Sequence, residues 1–412
     1  MRLSQLENSL DTKGRISMRK RRLWWAVGTV LTLTAASFAN AEAPLRWVSN
    51  RGIDTPSCGN TTDNACRSIS QAIENAVEGE VIAVLAGHYG DLNADGDLDD
   101  PGEEHLQPTA PASAIYVSKR VTVMSKGGAE QTVIDIPQLV NPSVPEQLAV
   151  YIDAAGAVFG TPGHGFTIKG GSTTGQVQLR AYAPNFQVSG NIIVGGVFQL
   201  IPSQGQTLIS DNTAVGGEGY NVFIFRLGVQ PRIVTLRDNK AIGTAFVIDG
   251  DEVQVIHNKA TGSDKPGFLL IGASIVAKDN FASDNAIGFM VGTIGAEGPL
   301  MLLTGNSAIG NRGPGILVGY EARVGIHGNN FYSNDTNGAS NVIPPHTGTN
   351  CGVFRLTQPA QYPVVDATGN YWGSARGPGA DPADNTGFDA GCDADRKLVF
   401  KPWATAPFPI TP

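Results

Sequence analysis

One asparagine returns along this chain with its neighbours attached. It stands at Asn191, Asn212, Asn239, Asn258, Asn280, Asn306, Asn329 and Asn370, and the first six intervals are 21, 27, 19, 22, 26 and 23 residues, a mean of 23. Three positions before it the residues are Val188, Ile209, Leu236, Val255, Ala277, Leu303, Ile326 and Ala367. Two positions after it they are Ile193, Ala214, Ala241, Ala260, Ala282, Ala308, Phe331 and Trp372. Four positions after it stand turn residues, Gly195, Gly216, Gly243, Gly262, Asp284, Gly310, Ser333 and Ser374. A period of this size is the mark of a solenoid. Each unit is too short to bury its apolar face alone, and stacking at about 4.8 Å per layer turns each apolar column into a continuous inner ladder. The asparagine then belongs at a tight turn, bonding backbone or the asparagines above and below.

The expected fold is therefore all-β, a right-handed parallel β-helix of about ten coils between about Ile115 and Gly373. Short β-type runs at Ala114–Val117, Val121–Met124, Val133–Ile136, Ala149–Ile152 and Gly165–Ile168 extend the coils upstream. The 51 glycines and 16% charged residues suit many short strands and tight turns. Neither the paired Trp-Asp of a propeller nor a Leu-x-x-Leu-x-Leu frame is present. A solenoid must cover its open ends. Ile69, Ala72, Ile73, Ala76 and Val77 share one helical face, and Ser68 with Gln71 starts a capping box, so a capping helix is expected over 67–78. The strand Val81–Leu85 follows.

The first 41 residues read as targeting rather than structure. Met18-Arg-Lys-Arg-Arg, the apolar run Leu23–Phe38 and Ala39-Asn40-Ala41 make a secretory signal peptide cleaved after Ala41, with 1–17 as an upstream extension. The apolar run is short for a membrane span and is diluted by Thr29, Thr32, Thr34 and Ser37, so no span is expected in the mature protein. Without that segment 22 basic residues face 35 acidic ones, a formal charge of −13. This disfavours nucleic acid, and acidic polysaccharides would need a bridging metal or a local basic patch. Export favours disulfides. The four cysteines fall in two distant pairs, and Cys58–Cys66 and Cys351–Cys392 are the expected bridges.

The C-terminal stretch Gly369-Asn370-Tyr371-Trp372-Gly373-Ser374, then Gly377-Pro378-Gly379 and Lys401-Pro402-Trp403, resembles the ending of bacterial right-handed β-helix proteins in the pectate-lyase-like superfamily. Trp47-Val48-Ser49 and the stretch from Cys66 to Ile82 resemble their N-terminal segment. The resemblance implies the fold. It does not imply an activity, because the superfamily mixes lyases, hydrolases, epimerases, adhesins and proteins without known activity. The organisation read from all this is a signal segment 1–41, an N-terminal cap 42–110, a β-helix 111–380 with an insertion at 343–363, and a C-terminal cap 381–412.

The sharpest chemical motif is Asp91-Leu-Asn93-Ala-Asp95-Gly96-Asp97-Leu-Asp99-Asp100, which matches the opening of an EF-hand-type loop. Asp91, Asn93, Asp95, Asp97 and Asp99 are candidate ligands for a structural calcium ion. The twelfth position is Gly102, and Glu103 comes one residue late. Gly163-His164-Gly165 lacks the companion motifs of polygalacturonases and reads as a turn before a strand. Asp211, Asp238, Asp279 and Asp284 sit beside the turns, as solvated corners. Asp249, Asp251 and His257 form the most catalytic-looking group among the acids, and Arg226, Arg232, Arg237, Lys240, Lys259 and Lys278 supply bases. Tyr220, Phe223 and Phe225 are candidate sugar-stacking aromatics, whereas Phe331 and Trp372 fall in an inward column. No lyase or epimerase signature is legible. The expected role is an exported β-helix that binds a polysaccharide or cell-envelope glycan or is associated with the envelope or cell surface, without a recognisable catalytic site, and the alternative is a polysaccharide-active lyase, hydrolase or epimerase using the β-helix groove.

Overall fold

A computed structural model describes residues 44–109, 112–137, 147–169, 177–223, 232–250, 252–272, 274–292, 300–319, 322–334, 351–356, 364–379, 390–392 and 398–410. The expected signal segment, residues 1–41, lies outside them. Three parallel sheets of 13, 11 and 10 strands run the length of the stack, and the chain visits them in turn, once per coil. Strands of three to six residues pair only with the coils before and after. Val234–Val253, Leu236–Val255 and Arg237–Ile256 are such register partners.

The two apolar columns of the repeat are the core. Every residue from Val188 to Ala367 in the first, and from Ile193 to Trp372 in the second, is fully buried. Sealing each Val, Leu or Ile side chain from water stabilises the stack by about 1.5–3 kcal/mol. A third inner column lies in the eleven-stranded sheet. Phe198, Tyr220, Phe246, Phe268 and Phe289 stack face to face with centroids 4.9, 4.5, 4.8 and 4.7 Å apart. Tyr220 is thus a core residue, not a sugar platform.

The repeated asparagine is buried and fully bonded. Asn258 donates from Nδ2 to the Leu236 carbonyl at 2.9 Å and to Asn280 Oδ1 at 3.1 Å. Its own Oδ1 accepts the Asn239 backbone N–H at 3.0 Å and Asn239 Nδ2 at 2.9 Å. The same pattern links Asn191 through to Asn370. The residue just before each asparagine is left-handed, at Gly190, Asp211, Asp238, His257, Asp279, Gly305, Gly328 and Gly369, with φ between 54° and 73°. The fourth position after it is left-handed too, from Gly195 to Ser333. Glycine, aspartate and asparagine tolerate that region best, so the corner acids Asp211, Asp238, Asp279 and Asp284 follow from backbone geometry. A second ladder, Asn285–Asn311–Asn334, occupies the next turn.

The N-terminal helix α1, Ile69–Asn75, is shorter than expected. Ser68 caps it by accepting the Gln71 N–H at 3.1 Å. Its other end stops where Lys119 Nζ donates to the carbonyls of Ile73, Glu74 and Ala76, leaving Val77 61% exposed. Within the expected insertion 343–363, Cys351–Arg355 is a strand paired with Ile316–Val318, and the rest lies outside the described residues. At the far end Trp372 packs on Phe331 and Phe400. The Trp403 ring lies so close to Gly377 that a Cβ there would meet it at 2.4 Å.

Candidate functional site

In strand Ala112–Val117, Ile115 and Val117 point inward, so Tyr116 faces out. The next strands place Tyr151, Arg180 and Gln199 in register with it on the outer face of the eleven-stranded sheet. The Tyr116 and Tyr151 rings stack with centroids 5.6 Å apart and planes 17° from parallel. Tyr116 Oη donates to Asp153 Oδ2 at 3.1 Å, Arg180 Nε donates to Gln199 Oε1, and Tyr182 stands 46% exposed beside them. Burial, then the hydrogen bond to Asp153, raises the Tyr116 phenol. Burial and the Asp153 charge raise that of Tyr151. Both phenols therefore remain protonated donors at neutral pH. Further along the same outward column stand Val247, Leu269, Met290, Leu317 and Phe354, so the polar aromatic surface is confined to the first coils.

Tyr116 also lines a cleft of about 530 Å³ at the cap, with Asp54, Ser70, Glu74, Glu103, His105 and Lys119 around it. Helix α1 forms one wall and the strap after the acidic loop forms the other. Glu104, 1% exposed, reaches from the strap to the helix start. It accepts the N–H groups of Ile69 at 2.5 Å and Ser70 at 3.0 Å, and Ser70 Oγ at 2.6 Å. Burial outweighs these bonds and pushes its carboxyl up to about 7.

The acidic loop folds as a turn in which its own side chains hold the backbone. Asp91 Oδ2 accepts Gly96 N–H at 2.9 Å, Asn93 Oδ1 accepts Asp95 N–H at 3.0 Å, and Asp95 and Asp97 accept from residues two further on. The hydrogen bond with Asp99 raises the Asp97 carboxyl. Glu103 turns back to accept Leu92 N–H at 2.8 Å and Asp100 N–H at 3.2 Å.

Cys58 and Cys66 form a disulfide with Cα atoms 4.9 Å apart. Cys351 is buried and disulfide-bonded, and the side chain of Cys392 lies outside the described residues. Asp54 is near the Cys58 and Cys66 sulfurs, but those are bonded to each other. His164 rests its Nδ1 against the Ser125 carbonyl at 3.0 Å, and a Cβ on Gly165 would collide with the Gly190 carbonyl at 1.9 Å. That motif is a close turn.

The group Asp249, Asp251 and His257 does not assemble. His257 lies between Asp238 and Asp279, at 3.7 and 3.4 Å, on neighbouring coils. Asp249 is separated from it by the strand Val253–Ile256, and Asp251 lies outside the described residues. Arg237 and Lys278 pair with the same corner acids, and Lys259 sits over the Phe281 ring. Arg226, Phe225 and the side chains of Arg232 and Phe223 lie outside the described residues. The tyrosine face went unnoticed in the sequence. Its signal is the repeated Ala-Ile-Tyr116-Val and Ala-Val-Tyr151-Ile, an aromatic between two inward aliphatics on consecutive coils.

The family model described as "Right handed beta helix region" matches residues 232–349. The fold is that of a right-handed parallel β-helix. Among solved structures the β-helix is similar to the A-module of mannuronan C-5 epimerase AlgE6 from Azotobacter vinelandii, at 16% identity and a TM-score of 0.54, covering 83% of this chain and 95% of that one. A rhamnogalacturonan lyase follows at 14% identity and a TM-score of 0.42, covering 78% and 84%. The Dettilon tailspike protein stands at 12% and 0.44, covering 87% and 68%. At these identities the likeness is one of fold. No curated protein sequence matches the chain. Among the described residues no helix is long and apolar enough to cross a membrane.

Proposed function

We propose that this β-helix is an exported glycan-binding protein of the periplasm or cell surface, and that the outer face at Tyr116, Asp153, Arg180 and Tyr182 contacts the sugar, with Tyr151, 8% exposed, backing the Tyr116 ring. The carrying observation is the stacked Tyr116–Tyr151 pair beside a carboxylate and a guanidinium. Flat rings match the apolar faces of pyranoses, and the adjoining charged groups match hydroxyls. A cleft of about 530 Å³ is of the size that holds small ligands. Its charged lining is three carboxylates, Asp54, Glu74 and Glu103, against Lys119, which favours a neutral glycan over an anionic one. Export rests on the basic head, apolar run and Ala39-Asn40-Ala41 site, and the processed protein is expected to begin at Glu42.

A second reading, a polysaccharide-active enzyme on the same face, is favoured by the Tyr116–Asp153 hydrogen bond. The Tyr116 phenol, held protonated against Asp153, can donate a proton to a departing oxygen. Residues 42–412, incubated with neutral and acidic polysaccharides and followed by affinity electrophoresis and size-exclusion chromatography, separate the two. Retardation with unchanged chain length supports binding alone, and shortened chains establish an enzyme. Wild-type mobility unaffected by every glycan, or retardation unaltered by Tyr182→Ala and Tyr116→Ala, would sink the proposal.

A further inference from the structure

The acidic loop contains a buried oxygen that the fold does not satisfy. Asp91 is 6% exposed, and its Oδ1 has no hydrogen-bond partner although it is sealed from solvent. Its other oxygen holds Gly96 N–H across the loop, so the carboxylate is aimed into the turn. Glu103, 2% exposed, enters the same turn from the opposite strand of the loop, at Leu92 and Asp100. It thereby stands in for the twelfth position that the late spacing left without a carboxylate, although no three acidic side chains of the loop yet converge within 4.8 Å of one another. Among the described residues no Lys, Arg or His lies within ion-pair distance of either carboxylate. Two buried carboxylates without a cation are costly. Asn93, Asp95 and Asp97 add oxygens at alternate positions. An all-oxygen, carboxylate-rich and pliable loop suits calcium, which takes six to eight such ligands, better than magnesium, which demands a small rigid octahedron.

We propose that Asp91, Asn93, Asp95, Asp97 and Glu103 bind one calcium ion, and that its binding orders the strap walling the cap cleft. The link is covalent and short. Glu103 closes the loop, and its neighbour Glu104 holds the first N–H groups of helix α1 and Ser70 Oγ. Fixing Glu103 fixes Glu104, the helix start and the cleft wall formed with His105 and Gln107. The site stands independently of any sugar.

The protein, stripped with EGTA, is titrated with calcium chloride by calorimetry, with magnesium chloride as the control. One calcium per chain is expected, with a Kd of about 10⁻⁴–10⁻³ M, as in extracellular modules. Asp95→Asn, at an exposed position, and Asp97→Asn, at a half-buried one, are expected to weaken binding at least tenfold while matching the wild-type melting temperature in EGTA. Hydrogen exchange at Ile69 and Ser70 is expected to slow when calcium is added. Absence of calcium heat, or unchanged affinity in both variants, overturns the site. Tight binding with unaltered exchange at those amides overturns the coupling to the cleft.

Discussion

At Asp238 a single residue carries two explanations, a catalytic acid and a backbone corner, and its φ of 58° decides for the second. Asp238→Gly is expected to leave stability nearly unchanged, because glycine adopts that conformation freely and the exposed pair with His257 is worth little. Asp238→Val is expected to cost about 1–2 kcal/mol, because a β-branched side chain crowds the carbonyl there. Urea unfolding of the two variants checks this, and equal midpoints would refute it. Asn258 is the opposite case, a buried polar residue without exposed area to spare. Asn258→Ala removes its own bonds, strands the Asn239 backbone N–H, and takes one bond each from the Asn239 side-chain amide and the Leu236 carbonyl. The expected loss is about 3 kcal/mol or more, read from the same unfolding curves.

At the scale of elements, the cap is where pH enters. Burial raises Glu104 from its ordinary 4.5 to about 7. The folded protein thus keeps a proton that the unfolded chain releases between those values. The resulting stabilisation is fully present below about pH 4.5 and is lost as pH rises through about 7, up to about 3 kcal/mol for this group. Melting temperatures measured from pH 5 to pH 8 are expected to fall on this account. Glu104→Gln, which does not titrate, should lose that part of the slope, and parallel curves for the two proteins would contradict it. The aromatic stack is an element of a different kind. Phe268 touches rings above and below at 4.8 and 4.7 Å, so Phe268→Ala opens a cavity and is expected to cost about 3–5 kcal/mol, measured by chemical denaturation.

For the whole molecule, strand pairing among the described residues runs only between neighbouring coils, with a few surface ion pairs such as Lys265–Glu218 reaching one coil further, so stability is close to a sum of coil and interface terms. Deleting residues 259–280 removes one period and brings Asn258 to the position of Asn280, joined to Phe281 as Asn280 is now. The shortened protein is expected to keep a β-type circular dichroism spectrum, the oligomeric state of the full-length protein and cooperative unfolding. Aggregation or loss of cooperativity would show that the coils are not interchangeable.

The period, the two inner columns and the asparagine turn were legible in the sequence because stacking imposes the same local environment on every coil. Repetition then marks each requirement eight times over, and the Ser68 cap and the NYWGS ending were readable for the same local reason. Side chains brought together across coils leave no such trace. Tyr116, Tyr151, Asp153 and Arg180 are spread over 64 residues or fewer of chain, and only the parallel register places them on one face. Asp249 and His257 are eight residues apart and end on different sides of a coil. Periodicity encodes which residues face inward. The tertiary structure alone decides which outward residues meet, because that depends on the length of each intervening turn and on the register it sets between neighbouring coils.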